Sequence, residues 1–503
     1  MKRIPSKYIK IAGFLLISAI TLLCVIILVA YSQRETLFKM AIEHVTQKAK
    51  KKYGLSIQIK KATFSGLRFI DFEDISVVPD HRDSLASIRR FRVGIKLFPL
   101  LLGDVKLSQI AFENGKINLV RKDSIANYDF LFRKKGSNQP SEMNLSKLAN
   151  DLLNRVLYKI PDDMDIKNVE IKFKDDSGIV SLYTTTATII NNEVKSSINV
   201  NGRQAVWHVS GLIYPEKKQL DLVLFADGKK VELPYIEQKF GLKLNFDTAR
   251  TQLKKVERDG DDLKISGSWA IRNLLINHPR IAGNDIMIEN GSIDADMRIE
   301  KNAVALDSSS IIHLKNITAN PFIRYTLYPQ KVYELQLHTN KMNAQQLFDA
   351  FPQGMFESLE GTQVSGQLQY RLNLYLDSKQ PDRVRFESSL HKTNFRVLKW
   401  GKMNLQKMNA PFVYTPYEHG KPMRSIIIGP QNANFTPIDD ISPNLKNALL
   451  TAEDPSFFSH SGFEEETIRK SIATNFQKRA FKRGGSTISM QLVKNAYLNR
   501  QKT

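Results

Sequence analysis

Along most of this chain, apolar and polar residues alternate with a period of two. The alternation runs through about residues 55–412. In Phe91-Arg92-Val93-Gly94-Ile95-Lys96-Leu97 every second side chain is apolar. Leu368-Gln369-Tyr370-Arg371-Leu372-Asn373-Leu374-Tyr375-Leu376 keeps the same rhythm. Successive side chains of an extended strand point to opposite faces, so the pattern predicts half-buried antiparallel strands. Asn114-Gly115 and Asn290-Gly291 sit in similar surroundings, which hints at a weak internal repeat. Asn-Gly accepts the positive φ of a two-residue hairpin, so each pair predicts a turn. Helical spacing interrupts the strands over 141–160.

The N-terminal end reads differently. Residues 11–31 form a 21-residue stretch without a charge. As a helix at roughly 1.5 Å per residue it would span about 30 Å, the thickness of a bilayer's hydrocarbon core. Lys2, Arg3, Lys7 and Lys10 precede it, which puts residues 1–10 in the cytoplasm and the bulk of the chain outside. A cleaved signal peptide with Ala30-Tyr31-Ser32 at its cleavage site is the rival reading. The apolar run is longer than a usual signal core, which favours an uncleaved anchor. Residues 37–52 predict a short amphipathic helix within a juxtamembrane segment, 32–54. Its basic end, Lys48 to Lys52, suits a solvated helix terminus and an anionic lipid surface equally well.

Composition narrows the classes. A chain of 503 residues has room for two to four domains. Its net charge of +22 calls for a polyanionic partner, whether nucleic acid, an anionic membrane or a phosphorylated substrate. No basic stretch with interleaved aromatics and no zinc-finger spacing is present, so nucleic acid is not expected. The single cysteine, Cys24, lies in the apolar run and excludes an intrachain disulfide. The 9 histidines show no metal-ligand spacing.

Helical signals return near the C-terminus. Ser442 suits an N-cap and Pro443 a first helical position, and the helix should run to Glu453. Asp454 precedes Pro455, which disfavours helix there and leaves Glu453 at a helix end. A second helix is predicted over 464–483, with Glu464, Glu465 and Glu466 at its positive end and Lys478, Arg479, Lys482 and Arg483 at its negative end. Gly484 and Gly485 break it, and Ser486 is placed to cap the next. Along that third helix Thr487, Gln491 and Lys494 share a face beside an apolar stripe of Ile488 and Leu492. Each feature alone is common on ordinary helices: a terminal glutamate is usually solvated, and a polar stripe is usually surface.

Two sequence blocks reverse those odds. The first is Glu453-Asp454-Pro455-Ser456-Phe457-Phe458-Ser459-His460-Ser461-Gly462, and the second runs from Gly484 to Asn495. They resemble the patterns E-D-x-x-F-x-x-H-x-G and G-G-S-T-I-x-x-Q-L-x-K-N of the peptidoglycan glycosyltransferases (glycosyltransferase family 51). The resemblance covers about 430–503 and implies a mainly α, lysozyme-like lobe that polymerises lipid II with inversion. Glu453 matches the family's base, which takes the proton of an attacking sugar hydroxyl. Lys494 matches a phosphate-contacting lysine, and Lys502 lies where many members carry a basic residue. Asp454, Ser486, Thr487 and Gln491 would shape the substrate site. Phe457, His460, Gly462, Gly484, Gly485 and Asn495 would hold its loops. A divalent cation, magnesium or manganese, is expected to bridge the phosphates. The implied partners are lipid II, the nascent glycan strand, the inner membrane and other cell-wall synthesis proteins. The family's third block, R-K-x-x-E, carries a second glutamate and is expected just past Thr503, which makes the chain a fragment of a longer protein or a truncated product. No S-x-x-K set supports a transpeptidase.

A second resemblance is pattern-level. Phe64-Ser65-Gly66-Leu67, the strand ending at Pro79 and the turn from Leu97 to Gly103 are similar to the N-terminal part of AsmA-like periplasmic proteins. It implies a β-groove or spacer within 55–429. The fold class expected is therefore membrane-anchored α+β: one N-terminal transmembrane helix, a long antiparallel β-rich periplasmic region and an incomplete glycosyltransferase lobe. The leading function is lipid II polymerisation. The alternatives are a non-catalytic AsmA-like envelope or lipid-handling protein and a lytic muramidase, against which the second block argues.

Overall fold

A computed structural model describes residues 33–97, 106–123, 125–131, 144–157, 160–161, 163–202, 204–278, 284–404, 406–418 and 421–497. These residues are mostly strand, with few helices. They divide into two compact units.

The first unit begins with the expected helix, Arg34–Tyr53, whose last turn carries Lys50, Lys51 and Lys52. Gly54 ends it with φ 65°, a left-handed C-cap that glycine adopts without steric cost. The strands Leu55–Ser65, Phe69–Pro79, Ala86–Ile95 and Leu107–Lys122 then form an antiparallel series. Asp163–Asp175 joins it in parallel beside Leu107–Lys122, and Gly178–Ile190 pairs antiparallel with Asp163–Asp175. On one face Phe72, Phe91 and Phe112 stack from strand to strand, with centroids 5.7 and 4.6 Å apart. Phe38 from the helix packs on Phe64 and Phe72. On the other face Arg92 makes a double hydrogen bond to Asp71. The period-two pattern thus separates an aromatic face from an ion-paired one.

The two Asn-Gly pairs are not turns. Asn114 and Gly115 lie inside Leu107–Lys122, and Asn290 and Gly291 lie inside Ile286–Ile299. Asn114 still takes a positive φ of 56°, but as a kink in a continuing strand: Glu113 faces Arg90 and Gly115 faces Ile88. Asp74 and Asn168 take φ 52° and 55° at the same level of neighbouring strands. Asn and Asp tolerate this region best among non-glycine residues, so the kinks line up across the sheet. Long pairing on both sides overrides the local turn preference.

The second unit holds the helix Leu145–Leu157 predicted within 141–160. Its sheet runs antiparallel through Ala205–Tyr214, Gln219–Phe225, Thr248–Asp259, Asp262–Asn277 and Ile286–Ile299. Two short strands, Ala303–Leu306 and Ile311–Leu314, bridge to Ile317–Thr326. Val332–His338, Gln363–Asp377 and Arg385–Lys399 complete it. The three C-terminal helices, Pro443–Glu453, Glu465–Lys478 and Ile488–Ala496, follow. The middle one sits on the sheet: Ala473, Ile472 and Phe476 pack with Leu376, Val384, Leu374 and Tyr333. Gln477 Nε2 donates to both carboxylate oxygens of Asp382 at 3.0 Å. Lys407 Nζ donates to the carbonyl of Ala496, the last residue of the third helix. Leu445, Leu449, Leu492 and Val493 remain exposed.

One expectation is corrected. No helix among the described residues is long and apolar enough to cross a membrane, against the expected placement as a single-pass inner-membrane protein. The stretch 11–31 on which it rested, with Lys2, Arg3, Lys7, Lys10 and Cys24, lies outside the described residues, as do most of the Leu97 to Gly103 turn and Lys502.

Candidate active site

Glu453 closes the Pro443–Glu453 helix, as the Asp454-Pro455 step requires. Pro443 occupies the first turn, but Ser442 makes no side-chain cap there. Glu453 is exposed, and its Oε2 accepts a hydrogen bond from Gln491 Nε2 at 3.4 Å, the long end of the range. Its other oxygen has no partner among the described residues.

Asp454 is only 5% exposed and does a different job. Both of its oxygens lie 3.1 Å from His460 Nε2, and Oδ2 also accepts from the Ile488 N–H at 3.0 Å. The Gly462 N–H donates to His460 Nδ1 at 2.9 Å. Nδ1 is therefore the acceptor and Nε2 carries the proton that points at Asp454. Burial acts to raise the Asp454 pKa, but hydrogen bonds from His460 and Ile488 outweigh it and hold the carboxyl below its ordinary value. Phe457 packs edge-on against His460, with centroids 6.3 Å apart. His460 thus ties Asp454 to the Gly462 main chain, with the Phe457 ring against its imidazole.

The second block reaches the first through Thr487. This side chain is 2% exposed; its hydroxyl donates to the Gly462 carbonyl at 2.7 Å and accepts from the Met490 N–H at 3.2 Å. Thr487, rather than the predicted Ser486, is therefore the N-cap of Ile488–Ala496; Ser486 is exposed. Gly462 has φ 99°, outside the range most side chains tolerate, and a Cβ there would meet Ser489 at 3.5 Å. A Cβ on Gly485 would meet Ile468 at 3.3 Å, whereas one on Gly484 would meet open space. Lys494 and Asn495 are exposed on the third helix. The site thus unites Glu453 with Gln491, and Asp454 with His460, Ile488, Thr487 and Gly462.

The middle helix is shorter than predicted: it ends at Lys478, and Arg479 takes a left-handed φ of 50°. Glu464 caps it, accepting from the Thr467 N–H at 2.6 Å. Burial pushes the Glu464 pKa up, but the Thr467 hydrogen bonds prevail and lower it. The basic segment beyond is clasped by Asn475, whose Oδ1 accepts from the N–H groups of Lys482 and Arg483 at 2.7 and 2.9 Å. Asn475 Nδ2 donates to the Arg483 carbonyl at 2.9 Å. The sequence reading missed Asn475: it lies in neither block, and a helical asparagine carries no signal of its own. No group of three or more His, Cys, Asp or Glu among the described residues could hold a metal ion. Asp454 has both oxygens engaged, so the site does not fit a protein-held cation.

Comparison with known proteins bears on this segment alone. Residues 419–503 match the family model described as Transglycosylase. The chain is 46% identical over 69 residues to the biosynthetic peptidoglycan transglycosylase of Nitrosospira multiformis, covering 14% of this chain and 30% of that one. The protein of the same name from Chromobacterium violaceum gives the same identity and coverage. Penicillin-binding protein 1A/1B of Bacillus subtilis is 34% identical over 98 residues, 19% of this chain and 10% of its own length. The chain therefore spans about 30% of the transglycosylases it matches. No solved structure matches it significantly.

Proposed function

We propose that the protein carrying this chain is a peptidoglycan glycosyltransferase that polymerises lipid II into glycan strands. The observation that carries this reading is the contrast between two adjacent carboxylates. Asp454 is buried and held as an acceptor through both oxygens; Glu453 is exposed, with one oxygen on Gln491 and the other without a partner among the described residues. The transglycosylase match over 419–503 includes both.

A sugar hydroxyl is a poor nucleophile, so a carboxylate must remove its proton as the new bond forms. Glu453 fills that role, and Gln491 limits its rotamers. Asp454 and His460 fix the turn that presents it. The leaving lipid pyrophosphate develops negative charge, which Lys494 and the cations beyond Lys478 are suited to offset. A divalent cation would ride on the substrate's own phosphates and offset part of their charge. The lobe itself corresponds to part of a lysozyme-like fold. We assign the β-rich region the role of a platform, supported by the apolar seat of the Glu465–Lys478 helix on Leu376 and Val384. An AsmA-like groove in that region rests on sequence pattern alone.

The test is to give the purified protein lipid II and separate the products. Growing glycan chains with release of lipid pyrophosphate support the reading. Release of sugar fragments from finished peptidoglycan, with lipid II untouched, would replace it with lytic chemistry.

A further inference from the structure

We infer that the free edge of the Arg385–Lys399 strand takes up an extended, acidic segment of another protein as an added strand. Among the described residues this strand pairs with Gln363–Asp377 and with no strand on its other side. The direction of its main chain follows from the register. Tyr370 lies opposite Leu390. The Tyr370 N–H donates to Thr339 Oγ1 at 2.8 Å, and the Tyr370 carbonyl accepts from the Thr339 N–H at 3.0 Å. Tyr370 thus spends both main-chain groups on the far side. In an antiparallel pair the opposite residue then also points away, so Leu390 directs its N–H and C=O outward. Ser388, two positions earlier, has the same parity, and its N–H is already taken by Glu465 Oε1 at 2.9 Å. The Glu465–Lys478 helix therefore caps one end of this edge. Leu390 and Lys392, next in the same parity, have no main-chain partner beyond the sheet among the described residues.

Exposure and charge say what would fit. Residues 390–394 and 396–399 are all exposed, with Leu390 at 52% and Leu398 at 65%. The stretch 389–399 carries Lys392, Arg396 and Lys399 and no carboxylate; the facing stretch 363–371 carries Arg371 and none either. Basic residues on an edge are one way proteins resist edge-to-edge association. They act here against a second copy, because the same edge would bring like charges together. They favour an acidic strand, whose main chain supplies the ladder at Leu390 and Lys392 and whose carboxylates meet Lys392; the register shift at Asn394 turns Arg396 to the opposite face, where it adds to the positive field.

The test uses the whole chain and a short blocked peptide of alternating valine and glutamate, with amide hydrogen exchange read at single residues. The expected result is about tenfold slower exchange at Leu390 and Lys392 with saturating peptide, weakened by added salt. It should be lost in Leu390→Pro, which removes an outward N–H and no bond within the sheet, and in Lys392→Glu/Arg396→Glu. Far-UV circular dichroism checks that both variants fold. Three results would overturn the proposal: no protection at millimolar peptide; equal protection by a valine–lysine peptide; or protection that rises with protein concentration alone, which would mean self-pairing.

Discussion

Asp454 and Ile488, 34 positions apart, are joined by one hydrogen bond: the Asp454 carboxylate accepts the Ile488 N–H at 3.0 Å. With the Thr487 hydroxyl on the Gly462 carbonyl, it locks the two sequence blocks into one site. The residue beside Glu453 is thus a structural acceptor.

Asp454→Asn should weaken this lock. Two donors, His460 Nε2–H and the Ile488 N–H, converge on the carboxylate, and an amide can satisfy them only through its oxygen. The expected cost is about 1–3 kcal/mol, measured by urea denaturation of the C-terminal helices. The pH dependence should change too. A carboxyl held below its ordinary pKa stabilises the fold above the ordinary carboxylate range, and that stability is lost as pH falls through the lowered folded value. Wild type should show this acid loss at the site and Asp454→Asn should not.

Thr487→Val keeps the shape and removes the hydroxyl. It should cost about 1–2 kcal/mol, because a helix cap and a buried hydrogen bond go together. Thermal unfolding reads it. Ser486→Ala should change little, since Ser486 is exposed and caps nothing.

The seat of the middle helix is apolar and nearly dry, with Leu376 and Val384 each 6% exposed. Leu376→Ala should cost about 2–4 kcal/mol and speed proteolysis between the sheet and the helices. Unchanged cleavage there would mean that the platform does not support the lobe.

Asn114→Ala should destabilise the first unit by about 1 kcal/mol, because alanine pays for a left-handed φ that asparagine tolerates. Asn114→Gly should be close to neutral. Equilibrium denaturation of both variants separates this kink from a simple loss of side-chain contacts.

These sites also mark how far the sequence could be read. Alternation around Phe91 and Leu372 foretold strands because a sheet with one apolar face imposes period two whatever its neighbours. The end of the helix at Glu453 was legible because Pro455 acts locally. Asn114 misled for the same reason: its φ preference is local, but whether the chain turns or only kinks depends on partner strands far away in sequence. Ser486 and Thr487 are both able caps, and Gly462, 25 positions upstream of Thr487, decides between them. The seat of Ala473 on Leu376 and the free edge at Leu390 arise from tertiary packing, which no period reports.

The most direct test of the whole account is lipid II polymerisation by the Glu453→Gln variant of the protein carrying this chain, compared with wild type at matched folding. Glutamine preserves the size of the side chain and its contact with Gln491 but cannot take a proton at the working pH. The expected result is a fall in rate of about 10²–10⁴, with substrate binding and thermal stability nearly unchanged. A polymerisation rate equal to wild type would contradict it and remove Glu453 from the chemistry.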